Sequence, residues 1–223
     1  MPILQAWGMT ETSPLTAIAH VRSGQIGLDD DAKADLRTSV GTIMSTVEFR
    51  ICVPDTIEEV PWDGESSGEL QVRGSYVAPE YYNRPDATDS FTEDGWLRTG
   101  DVASCDPQGY IRLVDRTKDL IKSGGEWVSS VEVENEIMGH PKVVEAAVIA
   151  VASERWMERP MACVVLKEGE VLSHEELIEF LAPKMAKLWL PSTTAIIDEV
   201  PKTSTGKSSK KTLRDQFADL VLE

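Results

Sequence analysis

Both the charge and the hydrophobic patterning of the chain change near residue 115. A chain that changes in both respects at one place is constrained to fold as two separately packed parts. Residues 1–115 carry 8 Lys and Arg against 20 Asp and Glu, whereas residues 116–223 carry 14 against 18. Upstream, Ser45–Val53 and Glu69–Arg73 read as strands, and the acidic segment Pro54–Ser67 between them supplies Pro, Gly and Ser as turn formers. Tyr110–Asp115 predicts a further strand. Pro85-Asp-Ala-Thr-Asp89 predicts a short helix with proline in its first turn. Glu93-Asp-Gly95 predicts a turn leading into Trp96-Leu-Arg-Thr-Gly-Asp101.

Downstream the periodicity becomes mixed. Ser129–Met138 predicts a helix capped by serine, and Ser173-His-Glu-Glu176 is a capping box opening a helix toward Met185. Val143–Ala152 and Met161–Lys167 are apolar enough to be buried strands, Thr194–Ile197 suggests a third, and a last helix is expected over Ser208–Leu220. The expected fold class is therefore α+β: a β-rich part over residues 1–115, a connection at 116–118, and a compact mixed domain over 119–223.

The formal net charge of −16 argues against a nucleic-acid partner, which calls for a basic face. It leaves room for anionic ligands, because a few cations and backbone N–H groups can hold a phosphate. The three cysteines, Cys52, Cys105 and Cys163, are spaced for neither zinc nor a disulfide framework and predict reduced, buried thiols in a cytoplasmic protein. No apolar run approaches the ~18–20 residues of a membrane span, so no transmembrane segment is expected.

Five segments carry chemistry. In Trp7-Gly8-Met9-Thr10-Glu11 an aromatic can stack on a base, a glycine allows close backbone approach, and a hydroxyl beside a carboxylate suits Mg²⁺; an ordinary turn with a capped helix start explains it equally. Asp101, ending Arg98-Thr-Gly-Asp101, can accept two hydroxyls such as those of a ribose, or cap its own backbone. Asp115-Arg116-Thr-Lys118-Asp-Leu120 is either a solvated charge run or a linker in which one residue absorbs a large backbone rotation. Lys122-Ser-Gly124-Gly125-Glu-Trp127-Val128 leaves room for a narrow ligand arm or a tight turn. Lys207 ends the polar loop Pro201-Lys-Thr-Ser-Thr-Gly-Lys207, where it is an exposed lysine or a mobile point charge reaching a neighbouring site. The spacing Gly-x4-Gly-Lys-Ser/Thr of a nucleotide P-loop is absent.

Taken in order, these segments resemble the adenylate-forming superfamily of acyl-CoA synthetases, luciferase and peptide-synthetase adenylation domains. The match runs from Gln5 to about Arg214 and is strongest to medium- and long-chain fatty acyl-CoA ligases, including the methylmercaptopropionate ligases. The resemblance implies the final, β-rich portion of a large ATP-binding domain followed by a small, mobile α+β domain. It implies ATP/AMP, Mg²⁺, coenzyme A and a carboxylic (fatty) acid as ligands. Trp7 takes the place of the tyrosine that stacks on adenine, with Gly8 beside it; Thr10 and Glu11 would meet the phosphates and Mg²⁺. Asp101 would hold the ribose with help from Arg116, and Lys118 would be the hinge. Gly124 and Gly125 would line the pantetheine path with Trp127 alongside, and Lys207 would bridge carboxylate and α-phosphate.

The superfamily's Ser/Thr/Gly-rich phosphate loop does not occur in these 223 residues. The expectation is a fragment of such a ligase that is inactive by itself and self-associates through surface the absent part would cover. Two other readings fit the same segments. One is an adenylating enzyme that loads a carrier protein, and the other is a non-catalytic AMP- or CoA-binding or interaction module.

Overall fold

In the computed structural model, which describes residues 3–203, 206 and 208–222, the chain divides into two compact units, residues 1–117 and 118–223. The first unit opens with three two-residue strands, β1 (Ala6–Trp7), β2 (Ala17–Ile18) and β3 (Thr42–Ile43), paired antiparallel in the order β1-β2-β3. Between β2 and β3 lies helix α1 (Asp30–Thr38), whose first turn is closed by Asp29 Oδ1 accepting from the Ala32 N–H at 2.7 Å. Strands β4 (Val47–Cys52), β5 (Ser67–Gly74), β6 (Leu97–Cys105) and β7 (Ile111–Arg116) then form an antiparallel meander in which sequence neighbours are sheet neighbours. Ile51, Leu70, Val72, Leu97 and Ile111, each at most 1% exposed, make its core, joined by Trp7 and Ala17 from the short strands.

The expected strands at 45–53, 69–73 and 110–115 are β4, β5 and β7. Arg98–Asp101, whose Asp101 the sequence also allowed to cap its own backbone, lie inside β6. What looked like turn chemistry is a bulge. Glu69 pairs with Val102 and Gln71 with Arg98, so Thr99, Gly100 and Asp101 face the single residue Leu70. Gly100 takes a φ of +69°, which an L side chain adopts only with strain. Pro85–Ser90 is a pair of 3-10 turns joined at Ala87 rather than an α-helix.

The second unit begins with a hairpin, β8 (Ile121–Ser123) and β9 (Glu126–Val128), then α2 (Ser130–Met138), β10 (Val143–Ser153), β11 (Met157–Leu166), α3 (His174–Leu181), β12 (Thr193–Ile196), α4 (Lys210–Gln216) and β13 (Val221–Leu222). Among the described residues its sheet runs β13-β10-β11-β8-β9, with β12 parallel to β11. Alternate residues of β10 serve opposite cores. Ala146 and Val148 pack with α2 and α3 on one face, and Ala147, Ile149 and Val151 pack with Leu213 of α4 on the other. Burial on both faces is why the strand reads as a nearly continuous apolar run.

Both serine caps form, with Ser129 Oγ accepting from Glu132 N and Ser173 Oγ from Glu176 N. The Glu176 carboxylate does not complete the capping box but pairs with Lys142 at 2.7 Å. Helix α3 stops at Leu181 rather than Met185: Ala182 still holds helical backbone and donates to the Ile178 carbonyl, but Pro183 has no N–H with which to continue the ladder. Helix α4 is shorter than expected, because Ser208 forms a β-bridge with Lys202 and the chain turns at Phe217. All three cysteines are buried and free, and burial pushes the Cys163 thiol up to about 12. Among the described residues no helix is long and apolar enough to cross a membrane.

Candidate functional site

In the first unit, three sequence-predicted residues meet at the β6 bulge. Asp101 pairs with Arg116 across β6 and β7, and Trp7 arrives from β1, 94 residues away. The Trp7 indole Nε1–H donates to Asp101 Oδ2 at 2.8 Å, while Arg116 Nε lies 3.3 Å from Asp101 Oδ1. The bulge itself is pinned: the Thr99 hydroxyl donates to the Leu70 carbonyl at 2.6 Å and accepts from Asp101 N–H at 3.1 Å, and Thr117 N–H donates to the Gly100 carbonyl at 2.9 Å. The Asp101 side chain is 13% exposed and that of Arg116 is 57% exposed. The result is a carboxylate gripped from both sides, with lone pairs left on each oxygen.

Thr10 and Glu11 sit in a 3-10 turn, Thr10–Thr12. The loop 78–91 docks on this turn through two bonds to Glu11. Ala78 N–H donates to its backbone carbonyl at 2.7 Å, and the Tyr81 hydroxyl donates to its carboxylate Oε1 at 2.6 Å. Donation to the Glu11 carboxylate, aided by burial, pushes the Tyr81 hydroxyl up to about 12. Tyr81 was not singled out from the sequence; a contact spanning 70 residues leaves no local pattern. Thr10 is exposed. One hydroxyl and one carboxylate are hard oxygen donors of the kind Mg²⁺ accepts while keeping water and phosphate as its other ligands. Among the described residues no group of three or more His, Cys, Asp or Glu is placed to hold a metal ion without such help. Gly8 is needed for an internal reason: a Cβ there would lie 1.9 Å from the Pro14 carbonyl oxygen, so the close approach it permits is to the chain's own backbone.

In the second unit, Gly124 and Gly125 form the two-residue turn of the β8–β9 hairpin, with φ of +60° and +89°. Both positive values favour glycine and match the twist of the strands. A Cβ on Gly124 would also lie 2.7 Å from the Trp156 ring, whereas one on Gly125 would meet open space. Lys122 Nζ stands 4.6 Å from the Trp127 ring centroid. Beside the hairpin opens a cleft of about 720 Å³ lined by Arg155, Trp156, Arg159, Lys187, Leu188 and Ser192, among others. Arg159 is committed to structure, donating to Ser123, Ser192 and the Leu188 and Leu190 carbonyls. Arg155, stacked on Trp156 at 4.8 Å, and exposed Lys187 remain to face a ligand. These three residues were missed from the sequence; the Arg155-Trp156 pair between two buried strands was the available signal.

Lys118 is exposed in the turn Thr117–Asp119. Lys207 lies outside the described residues. The loop that carries it is closed at its base by the Lys202–Ser208 bridge and by Ser209 N–H donating to the Pro201 carbonyl at 2.7 Å. Lys202 pairs with Glu145, and Lys210, at the start of α4, lies 2.8 Å from Glu134.

Residues 1–82 match the family described as AMP-binding enzyme, and residues 132–207 match the AMP-binding enzyme C-terminal domain. The chain is 44% identical over 217 residues to a long-chain-fatty-acid–CoA ligase of Thermus thermophilus, covering 96% of this chain and 40% of that protein. It is likewise 44% identical over 220 residues to a 3-methylmercaptopropionyl-CoA ligase of Ruegeria lacuscaerulensis, covering 98% of this chain and 40% of the relative. Among solved structures, ATP-bound MatB from Rhodopseudomonas palustris superposes with a TM-score of 0.83 at 30% identity, over 98% of this chain and 41% of that one. The chain thus spans about 40% of the length of the curated relatives it matches.

Proposed function

We propose, on the premise that the chain belongs to the AMP-binding enzyme family, that it supplies the ribose clamp, hinge and thiol-binding domain of an ATP-dependent fatty acyl-CoA ligase. In the first half-reaction a carboxylate oxygen of the acid attacks the α-phosphorus of ATP and pyrophosphate leaves, giving the acyl adenylate. In the second, the deprotonated thiol of coenzyme A attacks the acyl carbon and AMP leaves. Asp101 holds the ribose hydroxyls and Arg116 steadies that carboxylate. Thr10 and Glu11 face the phosphates; Mg²⁺, when held there, neutralises phosphate charge. Lys207 bridges the acid and the α-phosphate. Rotation about Lys118 then exchanges that lysine for the Gly124–Gly125 turn and Trp127, which admit the pantetheine arm. The cleft with Arg155, Trp156 and Lys187 suits the anionic, aromatic end of the same cofactor.

The observation that supports this reading best is the Asp101 carboxylate, aimed by a three-residue bulge and gripped by Trp7 and Arg116. Calorimetric titration of the 223-residue chain with AMP tests it. Asp101→Ala is expected to weaken AMP about thirty-fold, the loss of charge-assisted bonds to two hydroxyls. Equal affinity for both proteins would overturn the assignment. Because no Ser/Thr/Gly-rich phosphate loop occurs in these residues, ATP–pyrophosphate exchange by them alone is expected at background with fatty acids of any length.

A further inference from the structure

In the structure Trp7 is only 6% exposed, and its ring belongs to the apolar core of the first unit with Ala17, Val40, Leu70 and Leu97. Its single polar atom, Nε1, is aimed at Asp101 Oδ2 at 2.8 Å. We propose that Trp7 is a positioning residue for Asp101: its indole N–H fixes the rotamer of the carboxylate, so that Asp101 presents a free lone pair on each oxygen to a vicinal diol.

The lone-pair count carries the argument. A carboxylate offers about four acceptor positions, two on each oxygen. Trp7 occupies one on Oδ2, whereas Arg116 Nε, 3.3 Å from Oδ1, makes an ion pair rather than a hydrogen bond. At least one remains on each oxygen, which is what two adjacent hydroxyls of a ribose require. The two grips differ in kind. Arg116 is 57% exposed on its side chain and can move away, whereas Trp7 is packed in place. The buried donor therefore sets the geometry, and the exposed cation supplies charge. Thr99 and Gly100 hold the backbone of Asp101 but touch neither carboxylate oxygen, so they cannot substitute for the indole.

The inference rests on the reading of Asp101 as the ribose clamp, and two readouts on the full 223-residue chain separate the two. The first compares AMP with 2′,3′-dideoxy-AMP. Trp7→Phe keeps an aromatic ring and removes the N–H. It is expected to weaken AMP about ten-fold while changing the dideoxy nucleotide less than about two-fold. Equal weakening of both nucleotides, or no change in either, would overturn the proposal. The second readout needs no ligand. In ¹H–¹⁵N spectra the Trp7 indole resonance, assigned by its absence in Trp7→Phe or by through-bond correlation if that variant fails to fold, should lie downfield and move on Asp101→Asn. An unmoved resonance would contradict the hydrogen bond. Should wild-type chain bind no AMP, the ribose-clamp reading fails, and the indole signal alone decides whether Trp7 holds Asp101.

Discussion

The two sheets treat polar groups in opposite ways. The meander of the first unit carries a polar chain across its strands, buried at Arg50, Gln71 and Glu69: Asp94 to Arg50, Arg50 Nε to Gln71 at 2.8 Å, Gln71 to Glu69 at 3.3 Å, and Glu69 to Arg98 at 3.2 Å. Gln71 is 0% exposed within it. The two central strands of the second unit bury apolar residues on both faces, and its candidate chemistry stands at turns and loop bases: the glycine hairpin, the Trp156 turn, and the segment before α4. Asp101 stands on the same sheet as the polar chain, at the bulge that follows Arg98, where Trp7 and Arg116 hold its carboxylate.

Apolar truncation should hurt the second unit most. Leu177→Ala, at a fully buried position in the core that α3 shares with α2 and β10, is expected to cost about 4 kcal/mol through lost transfer energy and a cavity. Urea unfolding of the variant, followed by hydrogen exchange resolved to each unit, should show residues 118–223 opening first. In the first unit the telling change is polar. Gln71→Leu strands Arg50 Nε and one Glu69 interaction in a buried setting and is expected to cost about 3 kcal/mol although the side chain becomes more apolar. A neutral or stabilising result by thermal melting would show that the network contributes nothing and would erase the contrast between the sheets.

Smaller effects sharpen it. At the hairpin, Gly124→Ala meets both a positive φ and the Trp156 ring, for about 2 kcal/mol, while Gly125→Ala meets only the positive φ, for about 1 kcal/mol. Equal losses would mean that packing against Trp156 is not what fixes the turn. Least in size is the acid limb of the first unit. Hydrogen bonds from Arg50 hold the Asp94 carboxyl down to about 2, below its ordinary value of 3.8. The unfolded chain therefore binds that proton more tightly. The stabilisation from Asp94 is fully present above pH 3.8 and is lost as pH falls toward 2. Asp94→Asn should flatten the stability profile in that window and leave it unchanged at neutral pH apart from a constant offset. An unaltered acid limb would contradict the pairing.

The residues most legible in the sequence were those whose burial is periodic or whose caps are local. Val143–Ala152 and Met161–Lys167 announced β10 and β11 because both faces are apolar, and Ser129 and Ser173 announced α2 and α3 through contacts three residues away. Helix α1 was missed because none of its residues is buried, so no apolar stripe marks it. β6 was missed because Arg98-Thr-Gly-Asp101 carries turn chemistry that the fold uses for a bulge. Trp7, Asp101 and Arg116 are legible one by one, from residue chemistry and from the family resemblance, but not as a cluster. Their meeting spans 94 residues, and the Tyr81 grip on Glu11 spans 70. Contacts at that range depend on register and a bulge, which a reading of local pattern does not contain.

The proposed division of labour between the two units is tested most directly by mapping nucleotide and thiol ligands on the ¹⁵N-labelled 223-residue chain. AMP should shift amides at Trp7, Gly100–Val102 and Arg116 and leave Gly124, Gly125 and Trp156 unmoved. Coenzyme A should do the reverse. Shifts from both ligands confined to one unit, or AMP perturbing the hairpin while Asp101 stays silent, would contradict the account.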